Sequence, residues 1–114
     1  MRTYAAICIA IALACLAGTS EGLTQPPEAR GQEVFAEQRC VLCHSVGGEG
    51  NIKGPLDGVG SRLIREDIVS WIVDPKAMTA TTGADRKPPM RAYPSLPAED
   101  LDAVVAYMLS LKEE

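Results

Sequence analysis

The sequence has one histidine, His44, so no site within this chain can use two imidazoles. Large aromatics are few beyond the first residues: Phe35, Trp71, Tyr93 and Tyr107. A chain of 114 residues makes one domain, and small domains bury a smaller share of their surface than large ones. With so little aromatic bulk, something else is expected to complete the interior. Positive charge is not in excess. Eleven Lys and Arg stand against fifteen Asp and Glu, a net charge of −4, which argues against a nucleic-acid binder. No long hydrophobic run is present. The longest, Ala5 to Ala17, is 13 residues, whereas a membrane-spanning helix needs about 20. The glycines between Gly47 and Gly60 are followed by no Gly-Lys-Ser/Thr and preceded by no strand, so a phosphate loop is excluded. No segment alternates with period two, and there is no internal repeat or low-complexity tract.

What is present begins with a leader. Arg2 is the only charge before Glu21, and the apolar run ends in the small residues Ala14, Ala17 and Gly18. That is the pattern of a secretory signal peptide, here expected over residues 1–22, with cleavage after Ala17, Thr19 or Gly22. Two alternatives are an uncleaved N-terminal anchor and lipid attachment at Cys15, for which Leu13 lies two positions earlier rather than the usual three. The expected location is the periplasm, with membrane contact only through such an anchor or lipid. Removing the leader leaves two cysteines, Cys40 and Cys43, and leaves the net charge at −4.

Residues 23–28, with Pro26-Pro27, read as a linker before a domain over 29–114. Gly31, Val34 and Phe35 share one face of a helix expected over 29–38. A glycine among apolar residues there points to another helix approaching closely. A second helix is expected over 63–73, with Ile64, Ile68, Trp71 and Ile72 near one face and Asp74-Pro75 ending it. Residues 76–97, broken by Pro88, Pro89, Pro94 and Pro97, read as an ordered loop. The last helix is expected over 98–111, where Leu101, Val104, Val105 and Met108 form an apolar stripe. Glu99, Asp100 and Asp102 occupy its first turn, where the helix dipole favours negative charge.

The chemistry centres on Cys40-Val41-Leu42-Cys43-His44. Cys-x-x-Cys-His is the attachment motif of c-type haem. Two thiols at this spacing reach the two vinyl groups of a porphyrin and form thioethers, and the adjacent His44 is then held under the iron. A structural zinc site needs four Cys or His ligands, and the chain after the leader offers only three. A thioredoxin-like dithiol needs a strand–helix setting that is absent, and a plain disulfide leaves His44 unexplained. For the sixth iron ligand the candidates are methionines. Met108 falls on the apolar stripe and reads as core. Met78 follows Asp74-Pro75, and Met90 follows Pro88-Pro89, which stiffen the chain and lower the ordering cost of ligation. Met90 is the favoured ligand, with Met78 as the alternative.

Residues 29–112 resemble the class I c-type cytochromes, the bacterial monohaem kind. The resemblance rests on Gly31 and Phe35 before the haem motif, Gly54-Pro55-Leu56-Asp57-Gly58 after it, Trp71-Ile72-Val73-Asp74-Pro75, and then Met90, Tyr93-Pro94 and Tyr107. The family often has Pro directly after the ligand Met, where this chain has Arg91. The resemblance implies an all-α small cytochrome c fold of three to four helices wrapped around one covalent haem c. Its N- and C-terminal helices would cross, with Gly31 and Phe35 against the face of Tyr107. It also implies that the carbonyl of Pro55 accepts a hydrogen bond from His44, which orients the ring and strengthens it as an iron donor. Trp71 would pack near the haem.

An iron with His and Met ligands has no open position, and a soft thioether favours the ferrous state. The expected function is a one-electron carrier between periplasmic or membrane redox partners, not an enzyme. The alternatives are an obligate haem subunit of a larger dehydrogenase or oxidase, and a haem that loses Met90 to bind a gas or peroxide. Residues 51–92 carry seven cations and a net charge of +2. Arg86, Lys87 and Arg91, on the expected ligand loop, are candidates to steer an acidic redox partner.

Overall fold

The computed structural model describes Gly22 and residues 24–114. The expected leader, with Cys15, lies outside the described residues apart from Gly22. Among the described residues, five helices, one 3₁₀ turn and a two-stranded hairpin make up the fold. They are α1 (Pro27–Glu37), the 3₁₀ turn (Cys40–Leu42), β1 (Ser45–Val46), β2 (Glu49–Gly50), α2 (Val59–Arg62), α3 (Arg65–Val73), α4 (Pro75–Thr82) and α5 (Ala98–Ser110). This is more helix than the three to four segments expected, although the all-helical class is as read.

α1 starts with Pro27 at its first position, where a missing N–H costs no helical bond, and the Pro26 carbonyl accepts from the amides of Ala29 and Arg30. Its buried residues are Gly31, Val34 and Phe35, the predicted face. α5 answers with Ala103, Val104, Val105 and Met108. The two helices cross at Gly31. A Cβ added there would overlap the carbonyl oxygen of Ala103 and come within 2.5 Å of the Tyr107 Cβ. Beside this contact the Phe35 and Tyr107 rings meet edge to face, centroids 5.8 Å apart at 81°. Val59 and Ile68, from α2 and α3, complete the core. The crossing of first and last helices is therefore as the resemblance implied.

Two elements differ from expectation. Asp74-Pro75 ends α3 but also begins α4. The Asp74 carboxylate accepts from the Ala77 amide at 3.1 Å, Pro75 takes the first helical position, and Gly83 closes the helix at φ 73°. The stretch 76–97 is therefore helical to Thr82 and irregular only after it, and Met78 lies on a helix. In the second predicted helix, Ile64 precedes the first turn in extended backbone and is 61% exposed, so only Ile68 is fully buried. After the haem motif a short antiparallel hairpin forms around Gly47 and Gly48, both at positive φ, a turn of two residues that glycine admits without strain. Among the described residues, no helix is long and apolar enough to cross a membrane.

Candidate functional site

α1 stops abruptly. Gln38 and Arg39 turn the chain, Arg39 in the left-handed region at φ 60°, and the 3₁₀ turn of Cys40–Leu42 follows. The amides of Cys43 and His44 both donate to the Cys40 carbonyl, at 3.0 and 2.9 Å, so the two cysteines and the histidine share one tight turn. Both thiols are free. Cys40 is half-buried, and burial pushes its pKa up, with Arg91 acting the other way. Cys43 is exposed.

His44 is half-buried, and its Nδ1 lies 3.1 Å from the Gly54 carbonyl oxygen. A carbonyl only accepts, so Nδ1 carries the proton and the Nε2 lone pair is left free. Burial lowers the imidazole's proton affinity, the Gly54 hydrogen bond raises it, and Arg86 lowers it again. The acceptor is Gly54 rather than Pro55, a correction of one residue. The reason is the pairing of Ser45 with this segment. Ser45 donates to Gly54 O at 3.1 Å and accepts from Leu56 N at 2.8 Å, so the chain presents the Gly54 carbonyl to the His44–Ser45 side. Pro55 instead forms the bridge between those two bonds.

Asn51 is a further part of the site that sequence reading did not single out. Its amide donates to the Val41 and His44 carbonyls, and its Nδ2 donates to the Leu42 carbonyl at 3.0 Å. One residue thus braces three carbonyls of the motif. No side-chain pattern signals this role, because most of it is performed by backbone.

The segment with Met90 is fastened to the same region. Arg86 Nη2 donates to the Cys43 carbonyl. The Tyr93 amide donates to Ile72 O at 2.8 Å, and its hydroxyl donates to Gln38 O at 3.3 Å, just before the motif. Arg91 lies over the Tyr93 ring, 5.0 Å from its centre, and donates to its hydroxyl at 3.2 Å. Met90 is half-buried between these anchors. Met78 is half-buried on α4, Trp71 is half-buried on α3, and Met108 is 5% exposed in the core.

The donor set fits a covalently attached haem: two free thiols for thioethers, an imidazole oriented with Nε2 free, and a half-buried thioether on a loop tied to the same turn. A zinc site fits poorly, since among the described residues no group of three or more His, Cys, Asp or Glu side chains is placed to hold a metal ion by itself. The fold and this turn define a small helical domain of the kind that attaches haem through Cys-x-x-Cys-His. The chain belongs to the cytochrome c family, whose model matches residues 28–112. Membership implies covalently bound haem c with its iron, and haem-based electron transfer as the activity. Among curated proteins, the chain is 34% identical to cytochrome c oxidase subunit 2 of Alkalihalophilus pseudofirmus strain OF4. That similarity covers 83% of this chain but only 30% of the relative's length. No solved structure matches significantly.

Proposed function

We propose that this chain is a monohaem cytochrome that carries one electron at a time between redox proteins, and that it is exported to the periplasm. Cys40 and Cys43 would hold the haem through thioethers, and His44 Nε2 and Met90 would be the protein ligands to its iron. The haem, when bound, supplies the one-electron couple. The protein's part is to hold, orient and tune it. Gly54 fixes the imidazole's tautomer and ring plane. Arg86 and Tyr93 hold the Met90 loop against the attachment turn. The observation that supports this most is the hydrogen bond from His44 Nδ1 to Gly54, which leaves Nε2 as the ring's only donor beside two free thiols. The test is the protein made in a host with haem-maturation machinery. Colour that survives denaturation and acid-acetone extraction, with the spectrum of one haem per chain, is expected. Colour that washes out would sink the reading.

A second reading is a haem domain working within a larger oxidase. The likeness to an oxidase subunit 2 supports it. Stable co-purification with oxidase subunits from native membranes would favour the assembly, and a free monomer the shuttle.

The partner is proposed to dock on the cationic loop, with Lys87 as the free charge. Arg86 and Arg91 have contacts of their own, whereas Lys87 makes no side-chain hydrogen bond or ion pair among the described residues. An acidic partner should associate more slowly with Lys87→Glu than with wild type, and the gap should close in high salt as the charges are screened. An association rate indifferent to both would remove the steering idea.

A further inference from the structure

Arg86 is exposed, and its guanidinium reaches back to the attachment turn. Nη2 donates to the carbonyl of Cys43, the residue immediately before His44. Nη1 lies over Gly54, the residue whose carbonyl holds the His44 ring. A Cβ at Gly54 would come within 2.7 Å of the Arg86 guanidinium carbon and would overlap Nη1. The same Cβ would also overlap the Cys43 carbonyl oxygen, so the backbone itself requires glycine here, and the guanidinium occupies the space it leaves. One planar cation thus touches both peptide units that flank or fix the imidazole. A lysine could not match this, because its single ammonium lacks the fork.

We propose that Arg86 is a positioning residue that also sets the reduction potential, through a fixed positive charge clamped beside His44. The inference rests on the haem reading given above. In the transfer, the donor protein gives up one electron and the site's net charge falls by one. A fixed positive charge nearby stabilises the state of lower positive charge, which is the reduced one. A charge used only for docking would keep its hydrogen-bonding capacity for the partner. Arg86 commits part of that capacity to Cys43, and its neighbour Lys87 does not.

The experiment measures midpoint potentials of the haem-loaded protein by optical redox titration, at low and high salt. The variants are Arg86→Gln, Arg86→Met, Arg86→Lys and Lys87→Gln. At a fixed poise near the wild-type midpoint, the ratio of reduced to oxidised protein should fall several-fold in both neutral Arg86 variants. It should fall less in Arg86→Lys and stay near wild type in Lys87→Gln, with the ordering kept in high salt. Two neutral replacements are used so that one poorly folded variant does not leave the matter open. The inference is overturned if the neutral Arg86 variants titrate like wild type, if Arg86→Lys falls as far as they do, or if Lys87→Gln falls equally. Wild-type protein without covalent haem would instead overturn the functional reading itself.

Discussion

An imidazole can bind a metal through either ring nitrogen, and the partner of the other nitrogen decides which. Here Gly54 takes Nδ1, so Nε2 is directed to any ligand by a backbone carbonyl that is itself fixed by Ser45. On the proposed reading the second iron ligand is a methionine, and Met90 and Met78 are the candidates. Met78 sits on α4, a rigid element, but among the described residues no hydrogen bond joins α4 to the attachment turn. Met90 sits on a loop tied to that turn by Arg86 and Tyr93. Met90→Ala should therefore abolish the ferric Met–iron absorption band and lower the midpoint potential, because a thioether ligand favours ferrous iron. Met78→Ala should leave both unchanged. Optical spectra and redox titrations of the two variants decide it, and the opposite pattern would transfer the assignment to Met78. At this scale the thiols and the histidine were legible because covalent chemistry demands fixed residue types at fixed spacing. The Gly54 carbonyl and the Asn51 brace were not, because both act through peptide groups that every residue possesses.

At the scale of elements, α1 and α5 are joined by two devices of unequal strength. Arg30 pairs with Glu37, Glu33 and Asp100, the last across the helix crossing at 2.9 Å. These are partly solvated charges, and surface ion pairs contribute little after screening and side-chain ordering are counted. The crossing at Gly31 is backbone against backbone and cannot be rebuilt by a rotamer change. Gly31→Ala should gain up to about 1 kcal/mol of helix propensity but lose more to overpacking, which typically costs about 1–3 kcal/mol and more where backbone must move. A net destabilisation of about 2 kcal/mol is expected, read as a lower denaturant midpoint at unchanged slope. A stabilised variant would mean the helices do not meet there. The apolar stripes of α1 and α5 were legible because a buried face must repeat at the helical period. α4 was missed because residues 76–97 read as one stretch broken by Pro88, Pro89, Pro94 and Pro97, all beyond the helix, whereas Asp74-Pro75 is equally a capped helix start. The rule that Pro fits the first turn was available. What hid the helix was that the same dipeptide ends α3.

For the whole molecule the question is what the fold would be without its cofactor. Among the described residues the core consists of Val34, Phe35, Val59, Ile68, Ala103, Val104, Val105 and Met108, mostly aliphatic side chains with one aromatic among them. Close to the attachment turn, Val41, Leu42 and Ile52 are 40%, 60% and 75% exposed, an apolar fringe not absorbed by that core. A domain of this size buries a smaller share of its surface than a large one does. A flat apolar group covalently joined at Cys40 and Cys43 would add interior surface and tie the attachment turn to the Met90 loop. The double variant Cys40→Ala/Cys43→Ala, which has no thiol to attach haem, should therefore lose cooperative unfolding. The α1–α5 pair has local support and would keep part of its helix, so far-ultraviolet dichroism should fall only in part. Near-ultraviolet dichroism should vanish and a hydrophobic dye should bind, the signs of a compact state without fixed packing. A sharp, single thermal transition in that variant would show that the eight buried residues suffice alone. The haem would then be a passenger on a finished scaffold, and the scarcity of aromatic side chains would need another explanation.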